Sequence, residues 1–149
     1  MSKIRPRDKQ KFSFPSEKRS LIPEKQKISV KEENFCISFE YFDSGQKYAS
    51  SFKDWQKEGW LSKMLETLAG FCKRPLQEQF DGYKFKAYDS FPPKEKTMFE
   101  RPKNIPLDAH WARIHILNKA VVVGHYYKNI FYVVFLDKEK RSFNIRMIG

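Results

Sequence analysis

Apolar positions change their period several times along this chain, and each change marks an element. Between 34 and 43, Phe35, Ile37, Phe39 and Tyr41 alternate with Cys36, Ser38, Glu40 and Phe42. Side chains of a strand point alternately to its two faces, so this segment predicts a half-buried strand, closed by Ser44-Gly45. Ser51-Phe52-Lys53-Asp54 then has the form of a capping box, a hydroxyl for the first free amides and an acid three residues on. It predicts a short helix over 52–58 with Gly59 at its end. Trp60, Leu61, Met64, Leu65, Leu68, Phe71 and Cys72 recur at spacings of three and four, the stripe of a second helix that Gly70 weakens and Pro75 stops. Further on, Tyr83, Phe85 and Ala87 alternate with Lys84 and Lys86, which permits a strand with a basic face, ended by Phe91-Pro92-Pro93.

The densest apolar text runs from 109 to 141. Leu117-Asn118-Lys119 and Lys128-Asn129 interrupt it, and asparagine tolerates the positive φ of a tight hairpin turn. The segment predicts three antiparallel strands over 109–116, 120–127 and 130–137. With two-residue loops at both breaks, Arg113 faces Gly124, Val123 faces Val134 and His125 faces Tyr132. This register gathers Ile114, Ile116, Val121, Val123, Val134 and Leu136 on one face, continuing into Ala112, His110, His125, Tyr127 and Tyr132. Trp111, Arg113, His115, Val122, Tyr126, Phe131, Val133 and Phe135 fall on the other. The first face is expected to receive Leu61, Leu65 and Leu68 of the second helix, since neither apolar surface is stable in water. The expected fold is α+β, an antiparallel sheet of four or five strands with two helices packed on one face. The end beyond 141 frames a further strand or a tail.

Charge separates the first 32 residues from the rest. The net charge is +11, and residues 1–32 hold ten Lys and Arg against four Asp and Glu. Pro6, Pro15 and Pro23 punctuate that stretch and no period runs through it, which predicts a basic flexible arm ahead of a single domain over 33–149. A pI near 9.6 points to a polyanionic partner, most simply nucleic acid or an acidic protein. Lys94, Lys96, Arg101 and Lys103 fill a proline-punctuated loop expected to touch that partner. Cys36 and Cys72 form no CxxC, which excludes a zinc ribbon and a disulfide framework and suits a reducing, cytoplasmic setting. No apolar run approaches the ~18 residues of a membrane span.

The chain has no GxSxG, HExxH, P-loop or glycine-rich dinucleotide fingerprint, so no cofactor and no metal are expected. It does place all three histidines in the meander, with Arg113, Lys140 and Arg141. Cleavage of RNA by its own 2′-hydroxyl needs a base, an acid and cations around the phosphorane charge, and such residues supply them without a metal. The register brings Arg113, His115, Lys140 and Arg141 towards one another as the candidate catalytic set, with Trp111 and Tyr126 as stacking surfaces for bases. His110, His125, Tyr127 and Tyr132 form an alternative cluster.

A strand, two helices and a three-stranded meander ending in an aliphatic run and a basic pair resembles the RelE/ParE superfamily of bacterial toxins. The residues that carry the resemblance are Trp111-Ala112-Arg113-Ile114-His115-Ile116, Val121-Val122-Val123, Ile130-Phe131-Tyr132-Val133-Val134-Phe135-Leu136-Asp137 and Lys140-Arg141. It covers 34–141. It implies a ribosome-associated mRNA endonuclease with a small antitoxin partner, Arg113 and Arg141 matching the family's basic positions and Lys140 standing in place of its histidine. The chain departs from the pattern in the second meander strand, where Gly124-His125 replaces the usual arginine. It departs again after Arg141, where Phe143 follows instead of a tyrosine. The competing expectation is a non-catalytic RNA-binding module, or a phage or plasmid interaction protein on the same scaffold.

Overall fold

Five strands and two α-helices follow one another as β1 (Cys36–Ser38), α1 (Phe52–Glu58), α2 (Trp60–Phe71), β2 (Phe85–Ala87), β3 (His110–Leu117), β4 (Ala120–Tyr127) and β5 (Ile130–Asp137). Short 3-10 turns cover Leu76–Gln79 and Lys94–Lys96. The computed structural model describes residues 33–142; the basic arm expected over 1–32 and the strand or tail expected after 142 lie outside the described residues. The α+β architecture agrees with the sequence pattern. No described helix is long and apolar enough to cross a membrane.

The sheet order is β1-β5-β4-β3-β2, and β1 runs parallel to β5. The sheet is therefore mixed, not wholly antiparallel as expected. Hairpin turns force β3, β4 and β5 to alternate in direction, but β1 reaches β5 only after the chain has crossed both helices and returned. β1 is also much shorter than the alternation over 34–43 suggests. It docks by its own amides, with Phe35 N donating to Arg74 O and Cys36 N to Asn129 O, both at 2.9 Å. Asn129 Nδ2 answers with a bond to Asn34 O at 3.0 Å. In this hairpin Lys128, and not the asparagine, takes the positive φ (56°), while Asn118 takes it (49°) in the other.

Both helices form where the pattern places them. Ser51 Oγ accepts from Asp54 N at 3.1 Å and Asp54 Oδ2 accepts from Ser51 N at 2.9 Å, completing the capping box. Hydrogen bonding from the Ser51 amide, then from the Ser51 side chain, holds the Asp54 carboxyl below its usual range. Gly59, at φ 81°, turns the chain from α1 into α2. Met64 and Leu68 of α2 are buried and Leu61 is half-buried, but Leu65 remains 50 % exposed and lies off the stripe that meets the sheet.

Two irregularities change the expected register. Leu117 still faces Ala120, but His115 faces Val121, so Ile116 is left over as a bulge and Arg113 faces Val123 instead of Gly124. In β5 the register shifts between Val123, which faces Phe135, and Gly124, which faces Val133. The extra residue there is Val134, whose carbonyl accepts from Asp43 N at 2.8 Å. A bulge moves the residues beyond it to the other face. The helix face consequently carries Ala112, Ile114, Ile116, Val122, Phe131, Val133 and Leu136. Val121, Val123 and Val134, expected there, lie on the opposite face with Trp111 and Phe135.

That opposite face is not open. Phe99 and Ile105 are buried against it, joined by Tyr41, Tyr48, Ala49, Tyr88, Phe91 and Ala109. The stretches 41–49 and 88–109 thus form a third layer. The loop expected to be a partner-contact segment contributes a second core.

Candidate nucleic-acid site

β5 ends in a tight loop built around a buried carboxylate. Asp137 is fully buried and accepts from Ser142 N at 2.6 Å, from Glu139 N at 3.3 Å and from the Ser142 hydroxyl. Lys140, at φ 59°, makes the reversal between them. Ser50 N donates to Leu136 O at 2.9 Å and brings residues 47–50 and the start of α1 alongside the loop. Between them lies a cleft of about 460 Å3, lined by Lys47, Tyr48, Lys57, Lys138, Glu139 and Arg141 among others. The Arg141 guanidinium stands 4.4 Å over the Tyr48 ring, and its Nη2 lies 2.8 Å from Glu139 Oε1. Each group fixes the other's charge: the hydrogen bond from Arg141 and its positive charge hold Glu139 below the usual carboxylate range. The Arg141 backbone is held too, its carbonyl accepting from Met98 N at 3.1 Å.

Arg113 lies elsewhere. It is half-buried on β3 and its Nε donates to Tyr88 Oη at 2.8 Å. Val121 and Val123 of β4 and Phe135 of β5 separate β3 from the cleft, so the structure does not bring Arg113 and Arg141 together. His115 does share a cross-strand row with Val121 and Asp137. Its Nε2–H, however, donates to the Asn118 carbonyl of its own hairpin at 2.8 Å. Of the expected catalytic set, Lys140 and Arg141 belong to the loop of the cleft, and Arg113 and His115 do not.

The expected stacking pair also divides. Trp111 is fully buried against Phe91 (4.9 Å) and Phe135 (6.3 Å), and offers no ring to a base. Tyr126 is on the helix face, half-buried against Phe80, and burial, then the Asp89 charge, push its phenol up. Among the loop cations, Arg101 donates to the carbonyls of Pro102 (3.3 Å) and Ile105, so it braces its own loop. Lys94 and Lys103 are exposed and Lys96 is half-buried.

The alternative cluster separates as well. His110 is exposed and stacks on Tyr126 at 5.7 Å, on the helix side. His125, 6 % exposed, stacks on Tyr132 at 4.8 Å and meets Tyr41 (5.2 Å) and Trp111 (5.6 Å) on the other face. Its Nε2 is buried with no hydrogen-bond partner among the described residues, and burial lowers its pKa to about 4. This is a packed, neutral core histidine. Tyr127 stands exposed beneath the Lys128 ammonium, 5.3 Å from its ring.

Tyr48, Glu139, Asp137 and Tyr88 are the residues sequence reasoning missed. Only Asp137 and Glu139 left a signal, as the acids of an Asp-Lys-Glu-Lys-Arg turn directly after an aliphatic strand. Tyr48 and Tyr88 act through contacts with residues far away in the chain, which no local pattern reports. No protein-family profile, curated protein or solved structure matches this chain.

Proposed function

We propose that the domain acts on cytoplasmic RNA as a toxin-type endoribonuclease on a RelE-like scaffold, working from the cleft at the end of β5. The order strand, helix, helix, meander supports the scaffold. One observation carries the site: Arg141 is fixed by a ring and a carboxylate at the mouth of a cleft that also holds Lys47, Lys57 and Lys138. A preorganised guanidinium suits a developing phosphorane charge, because the cation is already in place when the negative charge appears. The 2′-oxygen of RNA attacks phosphorus, and its proton passes to the Glu139 carboxylate, a weak base because Arg141 holds it below the usual carboxylate range. The bond to the 5′-oxygen breaks, and that oxygen takes a proton from the ammonium of Lys138 or Lys140. The ribosome supplies the substrate in this reading, and a small antitoxin protein covers the site.

The test is incubation of the purified chain with mRNA, with and without ribosomes. The expected products carry 2′,3′-cyclic phosphate ends, and induction arrests growth. A chain that binds RNA but leaves it intact in both settings would sink the nuclease and leave a non-catalytic RNA-binding or interaction protein. Arg113 faces Val123, bonds Tyr88 and does not line the cleft, which favours that second reading, since the cleft then lacks that cation.

A further inference from the structure

The antiparallel pair of β2 and β3 at the sheet edge carries a charge arrangement that the cleft does not use. Lys86 stands directly opposite Arg113, and Lys84 O accepts from His115 N at 2.8 Å, so Lys84 and His115 form the next rung. Side-chain alternation places Lys84 and Lys86 on one face. Like charges directly opposite one another in a sheet are destabilising. No described Asp or Glu lies within ion-pair distance of Lys86 or Arg113; Lys86 Nζ sits 5.5 Å over the Tyr88 ring, and Arg113 bonds the same phenol. Lysine on an edge strand also discourages sheet-to-sheet aggregation. That explains Lys84 and Lys86, but not a half-buried arginine facing one of them.

The turn before β2 adds an aromatic. Asp81 Oδ1 accepts from Tyr83 N (2.9 Å) and Phe85 N (3.0 Å), and these bonds lower its pKa and fix the turn. Tyr83 stands 81 % exposed on that braced turn, directly before Lys84. Positions two apart along a strand are roughly 6.7 Å apart, a repeat that an extended single strand can follow phosphate by phosphate. Unpaired bases stack on exposed aromatic rings, which a duplex cannot offer.

We infer that the β2–β3 edge, with Lys84, Lys86 and Arg113 as phosphate contacts and Tyr83 as a stacking ring, is a track for single-stranded RNA separate from the cleft. It rests on the reading above only in naming RNA as the polyanion. The test measures binding of a short fluorescent 2′-O-methyl oligouridylate, which cannot be cleaved by its own sugar. The Lys84→Glu/Lys86→Glu variant is compared with Lys63→Glu/Lys73→Glu, which removes the same charge at exposed positions on and just after α2.

The track variant is expected to bind at least about tenfold more weakly, and its log–log salt slope to fall by roughly 0.7 for each phosphate it no longer neutralises. The control should change little. The melting temperature of the track variant should hold or rise, because an acid at 86 then faces Arg113; if it does not fold, Lys86→Gln is measured instead. Equal losses in both variants, no loss in either, or equal binding of a duplex would overturn the track. Cleavage of unmodified RNA is scored separately. A wild type that binds but does not cleave keeps the track and removes the nuclease, whereas one that cleaves while the track variant binds normally does the reverse.

Discussion

Arg113 Nε donates to Tyr88 Oη at 2.8 Å, tying the middle of β3 to the third layer and not to the loop that follows β5. The bond commits Arg113 to one border of the second core, while Arg141 stands at another. Tyr88→Phe should therefore weaken RNA binding a few-fold and leave the cleavage rate of bound RNA unchanged. It should also cost about 1 kcal/mol of stability, the usual net value of such a bond. Urea melts and single-turnover rates at saturating protein measure the two effects; a fall in the bound rate would place Arg113 in the chemistry.

Gly124 sits where β5 bulges. A Cβ there would come within 1.9 Å of the Tyr132 carbonyl oxygen, a backbone atom that cannot step aside. Gly124→Ala should cost more than about 3 kcal/mol, in the range reserved for severe backbone conflicts. A urea midpoint within error of wild type would mean that the bulge is absent in solution.

His125 makes stability depend on pH. Buried among Tyr41, Trp111 and Tyr132, it has a folded pKa of about 4, below the 6.5 of an exposed histidine. The unfolded chain binds the extra proton between these values, so the contribution is complete above pH 6.5 and is lost as the pH falls through about 4. The loss amounts to roughly 3 kcal/mol at most. His125→Phe should flatten this part of the curve in urea melts taken across the window; an unchanged slope would assign the acid sensitivity to other groups.

Phe99 and Ile105 test the third layer. Each is buried against Val121, Val123 and Phe135, so Phe99→Ala should cost about 3–5 kcal/mol and Ile105→Ala about 2–5 kcal/mol. Losses below about 1 kcal/mol, as for surface positions, would mean that 88–109 is a solvated loop after all.

Elements with a local signature were legible in the sequence. Ser51 and Asp54 announce α1, the three-and-four spacing from Trp60 announces α2, and the asparagine breaks place β3, β4 and β5 to within a residue. What failed was side-chain direction. Ile116 and Val134 are ordinary strand residues, and nothing local marks either as the extra residue of a bulge. Each bulge reassigned the faces beyond it, which is why Val123 and Val134 were expected under the helices. The third layer was hidden for a different reason: Phe99 and Ile105 are isolated apolar residues among prolines and lysines, with no period to reveal burial. Within the site, Lys140 and Arg141 were visible as a basic pair, but Tyr48 joins them only through Ser50 docking on Leu136.

Arg141 is the residue on which the proposed activity rests. The direct measurement is the single-turnover rate of mRNA cleavage by Arg141→Ala and Arg141→Lys beside wild type, at saturating protein, with and without ribosomes. Removing a preorganised charge contact costs about 100-fold to 1,000-fold in rate, and lysine cannot reproduce the planar stack on Tyr48. The expected result is a loss of that size in both variants, with urea midpoints close to wild type because the Arg141 head group is partly exposed. Full cleavage by Arg141→Ala would contradict the proposed role and move the chemistry away from the cleft.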